Sequence, residues 1–187
     1  MQPFPYPRGF ISTGTNPAAA GAGWAGMEAA GMDDEQRTRA VDRWGDMVYR
    51  LALARTASVP DAEDVFQEVF LRYFRHEDEL DGDEHRKAWL IRCTVNRCKS
   101  LLASPWRRRT VPLETAAEVG VEDDYREVYS AVLSLPAKYR AAIHLHYFEG
   151  LSVAEMAQML DVPEGTVKSQ LSRGRALLRD MLKEVAL

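Results

Sequence analysis

Lys168, Ser172, Arg175 and Arg179 recur at three- and four-residue spacing, with Ser169 and Arg173 beside them. On a helix that spacing gathers cations and hydroxyls on one face. Such a face suits DNA, because cations hold phosphates while short donors and forked arginines read base edges. Val167, Leu171, Gly174, Leu178 and Met181 form a second stripe that would be buried. Just upstream, Ser152 and Glu155 have capping-box spacing, with Val153, Met156, Ala157 and Leu160 turned inward. Asp161 and Glu164 repeat that spacing, and Pro163 suits a first helical position. The segment therefore predicts a helix-turn-helix. Two capped helices joined by a tight turn favour DNA over an ordinary hairpin with a solvated basic face.

The chain has 187 residues and a formal net charge of -4. That net charge alone argues against a polyanion partner, but its distribution reverses the argument. From Arg86 to Arg109 there are eight Lys/Arg and no acid, and from Gly165 to Lys183 five against the single Asp180. Acids concentrate in Asp61–Glu68, Glu77–Glu84 and Glu114–Glu127. A polyanion meets two positive islands. The acidic segments would keep the free protein off random DNA or meet a basic partner.

Catalytic chemistry finds little support. His76, His85, His144 and His146 lack a nucleophile or metal partner at useful spacing, and there is no glycine-rich phosphate loop. Cys93 and Cys98 lie five apart with no CxxC or Cys/His cluster, so no zinc site or disulfide framework is expected. No catalytic residue, metal or cofactor is assigned. No apolar run is long enough for a membrane span and no signal pattern opens the chain, which predicts a soluble, cytoplasmic protein.

The elements that must position these residues read as all-α, in two small helical domains. Residues 1–31, rich in Pro, Gly and Ala, read as a disordered tail, with Met27 or Met32 as alternative starts. The first domain spans 32–104. Its first helix runs from about Asp33 to Ala57, with Val41, Trp44, Val48, Leu51 and Ala52 inward. A break at Pro60-Asp61 precedes a second helix burying Ala62, Val65, Phe66, Val69, Tyr73 and Phe74. An acidic loop from Glu77 to Glu84 leads to a third helix, about His85 to Leu102, burying Ala88, Trp89, Ile91, Val95 and Cys98. Residues 105–121 read as a linker and 122–187 as the second domain, with helices near 122–133 and 136–148 before the helix-turn-helix.

Two blocks resemble the extracytoplasmic-function (ECF) group of bacterial RNA polymerase sigma factors. DAEDVFQEVFLRYFR followed by KAWLIRCTVNR is similar to sigma region 2. LPAKYRAAIHLHYFEGLSVAEMAQMLDVPEGTVKSQLSRGRALLR is similar to region 4. The resemblance implies a non-enzymatic subunit that binds core RNA polymerase and recognises the minus-35 and minus-10 promoter elements. It places Asp64, Gln67 and Glu68 against the β′ clamp helices. It places Arg92, Asn96, Arg97 and Lys99 on minus-10 DNA, where a base is flipped into a loop pocket at a cost of a few kcal/mol. Lys168, Ser169, Ser172 and Arg173 fall at minus-35 contacts, and Arg175 fits a phosphate clamp. Leu133, Pro136 and Tyr139 read as core. Region 4 would also meet the β flap, and an anti-sigma protein is an expected partner. Arg107–Arg109 would thread toward the RNA exit path or extend the minus-10 surface. Region 3 and an acidic N-terminal regulatory domain are absent, as in the ECF group. The runner-up is a stand-alone dimeric helix-turn-helix regulator with half-sites about one helical turn apart. The basic island from Arg86 to Arg109 counts against it.

Overall fold

A computed structural model describes residues 33–103 and 130–185, which are helical and carry no strand. The expected tail and linker, and the first part of the expected helix over 122–133, lie outside the described residues. Residues 130–134 are helical.

α1 (Asp34–Thr56) starts at a capping box: Asp33 Oδ1 accepts from the Gln36 amide at 2.7 Å, and Gln36 Oε1 accepts from the Asp33 amide at 3.0 Å. It ends at Ala57 in the left-handed region, φ 54°. α2 (Val59–His76) is capped by Ser58, so it begins before the expected break. Pro60 lies in the first turn, where its missing N–H leaves no helical bond unmade. A 3-10 turn, Glu77–Glu79, and the two non-helical residues Leu80 and Asp81 separate α2 from α3 (Gly82–Ala103), so the expected acidic loop is largely helical.

These three helices pack on one another around Phe66, Phe70 and Phe74. The rings lie one turn apart along α2, with centroids 4.8 and 5.8 Å apart in succession. Such aromatic contacts add about 0.5–1.5 kcal/mol per pair beyond area burial. Phe70 was not among the expected inward residues. It is fully buried because α1 and α3 cover α2 from two sides, widening the apolar face beyond one stripe. Trp89 is only half-buried, at the edge of the bundle near Tyr73 and His76. Cys98 lies in the core and Cys93 beside it.

The second bundle comprises α4 (Ala137–Tyr147), α5 (Val153–Leu160) and α6 (Glu164–Val185). Gly150, with φ +69°, turns the chain between α4 and α5 where a side chain would strain the backbone. Ser152 and Glu155 form the expected capping box, which also holds the Glu155 carboxyl below its ordinary value. The second expected box does not form. Asp161 adopts the left-handed region at φ 55° and terminates α5 instead, its amide bonding back to α5 carbonyls. Pro163 stands just outside α6, its carbonyl accepting from the Thr166 and Val167 amides.

The two bundles touch. α4 lies on α1 and α5 on α3, and buried residues from both halves form one continuous core.

Candidate nucleic-acid interface

α6 is positioned by its buried stripe. Val167 and Leu171 face the interior with Gly174, while Leu178 and Met181 are half-buried further along. Gly174 sets the separation from α4. A Cβ there would lie 3.2 Å from Ile143 Cγ1 and 3.4 Å from Tyr139 Cβ, so the two helices approach at a distance that excludes larger side chains.

This packing leaves Lys168, Ser172, Arg173 and Arg175 exposed along one side of α6, with Ser169 half-buried. Lys168 Nζ lies 3.0 Å from Glu164 Oε2, an exposed i,i+4 pair that polyanion contact would readily replace. Arg173 is held differently. Its guanidinium is the main reason the Tyr139 phenol is held below its ordinary range, with Lys138 adding to it. Lys138 Nζ stands 4.9 Å from the centroid of the Tyr139 ring. Tyr139 was expected in the core, yet it is half-exposed and its hydroxyl reaches the basic face. The adjoining Lys138 was the only sequence signal.

On α3, Arg92, Asn96 and Lys99 are exposed and Arg97 is half-buried. Two of the four are engaged. Arg92 Nε donates to the Met159 carbonyl at 3.1 Å and Nη2 to the Gln158 carbonyl at 3.3 Å, both in the last turn of α5. Arg97 Nε is ion-paired with Glu68 Oε2. On α2, Asp64 and Gln67 are exposed, whereas Glu68 also pairs with Arg72. The expected polymerase face and the expected minus-10 face therefore meet at one ion pair.

Sequence reasoning missed Arg140 altogether. It is 5 % exposed, and its guanidinium donates to the Ala54 and Arg55 carbonyls of α1 as well as to Leu133 and Leu135. Its spacing from Ile143 puts it on the buried face of α4, the one available hint. Nearby, His144 is buried and stacks on Phe148, with Nε2 3.4 Å from Glu149 Oε1. Burial pushes the Glu149 carboxyl up, but the hydrogen bond from His144 and the fields of His144, Arg50 and Lys87 hold it below its ordinary value. Among the described residues no cluster of His, Cys, Asp and Glu could hold a metal, and no helix is long and apolar enough to cross a membrane.

The chain matches two protein families, described as Sigma-70 region 2, over residues 40–108, and Sigma-70, region 4, over residues 125–178. It is 29% identical over 164 residues to the ECF RNA polymerase sigma factor SigW of Bacillus subtilis, covering 78% of this chain and 88% of the relative. It is 34% identical over 155 residues to SigL of Mycobacterium tuberculosis, covering 77% and 87%. In fold it resembles the sigma factor RpoE of Bartonella quintana, solved in complex with the anti-sigma factor NepR. That match has a TM-score of 0.61 and 24% identity, covering 78% of this chain and 96% of that one. It also resembles CnrH, solved in complex with the cytosolic domain of CnrY, with a TM-score of 0.59 and 24% identity over 90% and 94% of the two chains.

Proposed function

The chain belongs to the ECF sigma factors of bacterial RNA polymerase, and from that premise we propose which of its residues perform each part of the work. It binds core RNA polymerase, recognises promoter DNA and supports transcription initiation. The observation that carries the residue assignment is the exposed basic face of α6, held outward by the Val167–Leu171–Gly174 stripe.

Arg173, Lys168, Ser169 and Ser172 read the minus-35 element from the major groove, and Arg175 clamps a phosphate. A bidentate arginine–guanine contact discriminates by about 1–3 kcal/mol, enough to set a preference at one base pair. Asn96 offers a donor and an acceptor to a minus-10 base, while Arg92, Arg97 and Lys99 neutralise phosphates around it. Asp64, Gln67 and Glu68 dock on the β′ clamp helices. The chain supplies specificity without performing the chemistry of RNA synthesis, and it works in the cytoplasm. An anti-sigma protein is the further expected partner, since RpoE of Bartonella quintana, which this chain resembles in fold, was solved bound to one.

The test is run-off transcription with bacterial core RNA polymerase on the protein's own upstream DNA, with and without the chain. A discrete transcript that requires the chain supports the reading, and its start site locates both promoter elements. No transcript together with no co-elution with core polymerase overturns it and promotes the dimeric regulator.

A further inference from the structure

We propose that Arg55, at the C-terminal end of α1, is an anion site that takes a backbone phosphate of the promoter strand beside the minus-10 residues of α3. The DNA half of this proposal rests on the sigma-factor reading; the anion site itself does not.

Arg55 stands in the last turn of α1 and is half-buried. Its Nε is enclosed without a hydrogen-bond partner. Burial pushes the guanidinium below its ordinary value, and no carboxylate acts to raise it again. The group that does act on it, the Cys98 thiol, is itself pushed by burial up to about 11 and is uncharged at neutral pH. Desolvating a lone charge is costly, so cations are normally enclosed together with a counter-ion. Other cations of the first bundle follow that rule. Arg43 pairs with Asp83, Arg50 with Asp46, Arg86 with Glu77 and Arg97 with Glu68. Arg55 departs from it.

Capping the end of α1 does not account for the departure. The last carbonyls of a helix need donors from outside its ladder. Thr56 Oγ1 donates to the Ala52 carbonyl at 2.9 Å and the Ala57 amide to that of Leu53 at 2.9 Å. Arg140 donates to those of Ala54 and Arg55. These carbonyls are supplied by other groups. The negative end of the helix dipole favours a cation at Arg55 but gives it no hydrogen bond.

The neighbourhood selects the anion. α1 packs on α3, and Arg55 and Arg97 both act on the buried Cys98 thiol. Arg55 therefore shares a seam with the stretch of α3 that carries Asn96, Arg97 and the exposed Lys99. No acid occurs from Arg86 to Arg109, so that stretch offers nothing to repel a phosphodiester. A guanidinium fork matches phosphate oxygens in charge and in geometry.

The experiment titrates holoenzyme, assembled from core RNA polymerase and the full chain, against promoter duplex over a range of salt. Wild type is compared with Arg55→Gln and Arg55→Lys. Each free chain is also melted in chloride and in inorganic phosphate at equal ionic strength. Expected for Arg55→Gln are melting in chloride that is unchanged or raised, and loss of the rise that phosphate gives wild type. Its slope of log affinity against log salt should be shallower by about 0.7–0.9, equally for every minus-10 sequence. Arg55→Lys should recover most of both effects, because it keeps the charge. A marked fall in melting for Arg55→Gln overturns the proposal and makes Arg55 a structural cation. An unchanged salt slope with weaker co-elution with core polymerase overturns it in favour of an acidic protein partner. Wild type that binds no promoter overturns the sigma-factor reading and with it the DNA half, while melting in phosphate still decides the anion site.

Discussion

Arg97 of α3 is ion-paired with Glu68 of α2, with the two side chains 28% and 33% exposed, and Glu68 holds Arg72 by its other oxygen. A residue proposed for DNA and a residue proposed for polymerase are thus one electrostatic unit. Partly exposed pairs contribute little to stability, about 1 kcal/mol or less. Their consequence is functional: removing Glu68 frees two cations beside the proposed minus-10 surface.

Glu68→Ala is expected to change promoter opening as well as polymerase binding, with a loss of stability of no more than about 1 kcal/mol. A double-mutant cycle with Arg97→Ala, read out as open-complex formation, should show a coupling of about 0.5 kcal/mol or more. Strict additivity would mean that the two surfaces work independently.

Arg173→Ala should weaken minus-35 recognition by about 1–3 kcal/mol while leaving polymerase binding intact. Tyr139→Phe removes only the hydroxyl whose pKa Arg173 lowers, so a smaller loss in the same assay is expected, with helix content and melting nearly unchanged. Binding to promoter variants at the affected base pair separates positioning from phosphate attraction. A lost phosphate contact would instead weaken all sequences alike and flatten the salt dependence.

Gly174 sets two effects against each other. Replacing a helical glycine with alanine gains about 1 kcal/mol in helix propensity. The new Cβ, however, would stand 3.2 Å from Ile143 Cγ1, which must yield. Gly174→Ala should therefore change stability by less than about 1 kcal/mol, whereas Gly174→Val should destabilise by about 1–3 kcal/mol through overpacking. Denaturant midpoints at constant m-value provide the measurement, and a stabilised valine variant would contradict the close approach.

Glu149 carries a pH dependence whose sign follows from its lowered pKa. A carboxyl depressed in the folded state binds fewer protons there than in the unfolded chain. Its contribution is therefore complete above the unfolded value, near 4.5, and is lost as pH falls through the folded one. The melting-temperature difference between wild type and Glu149→Gln should be constant at neutral pH and shrink below about 4.5. A difference that persists unchanged to lower pH would exclude the favourable contacts with His144, Arg50 and Lys87 as its source.

The sequence by itself determined most of the elements and the exposed basic face of α6. The Ser152–Glu155 cap, the Val167–Leu171–Gly174 stripe and the basic side of α6 are all legible because they depend on neighbours three or four residues away. Local chemistry can also mislead: Asp161 and Glu164 have the spacing of a cap, yet Asp161 went to the left-handed end of α5 because the turn there is so short. What tertiary structure decided lies wherever distant surfaces meet. Phe70 is buried because two helices cover α2, and Tyr139 reaches Arg173 because Gly174 lets α4 come close. Arg140 finds the carbonyl of Ala54, 86 positions away. Periodicity reports which residues share a face of one helix. It does not report which second face will cover it, or whose carbonyls a buried guanidinium will find there.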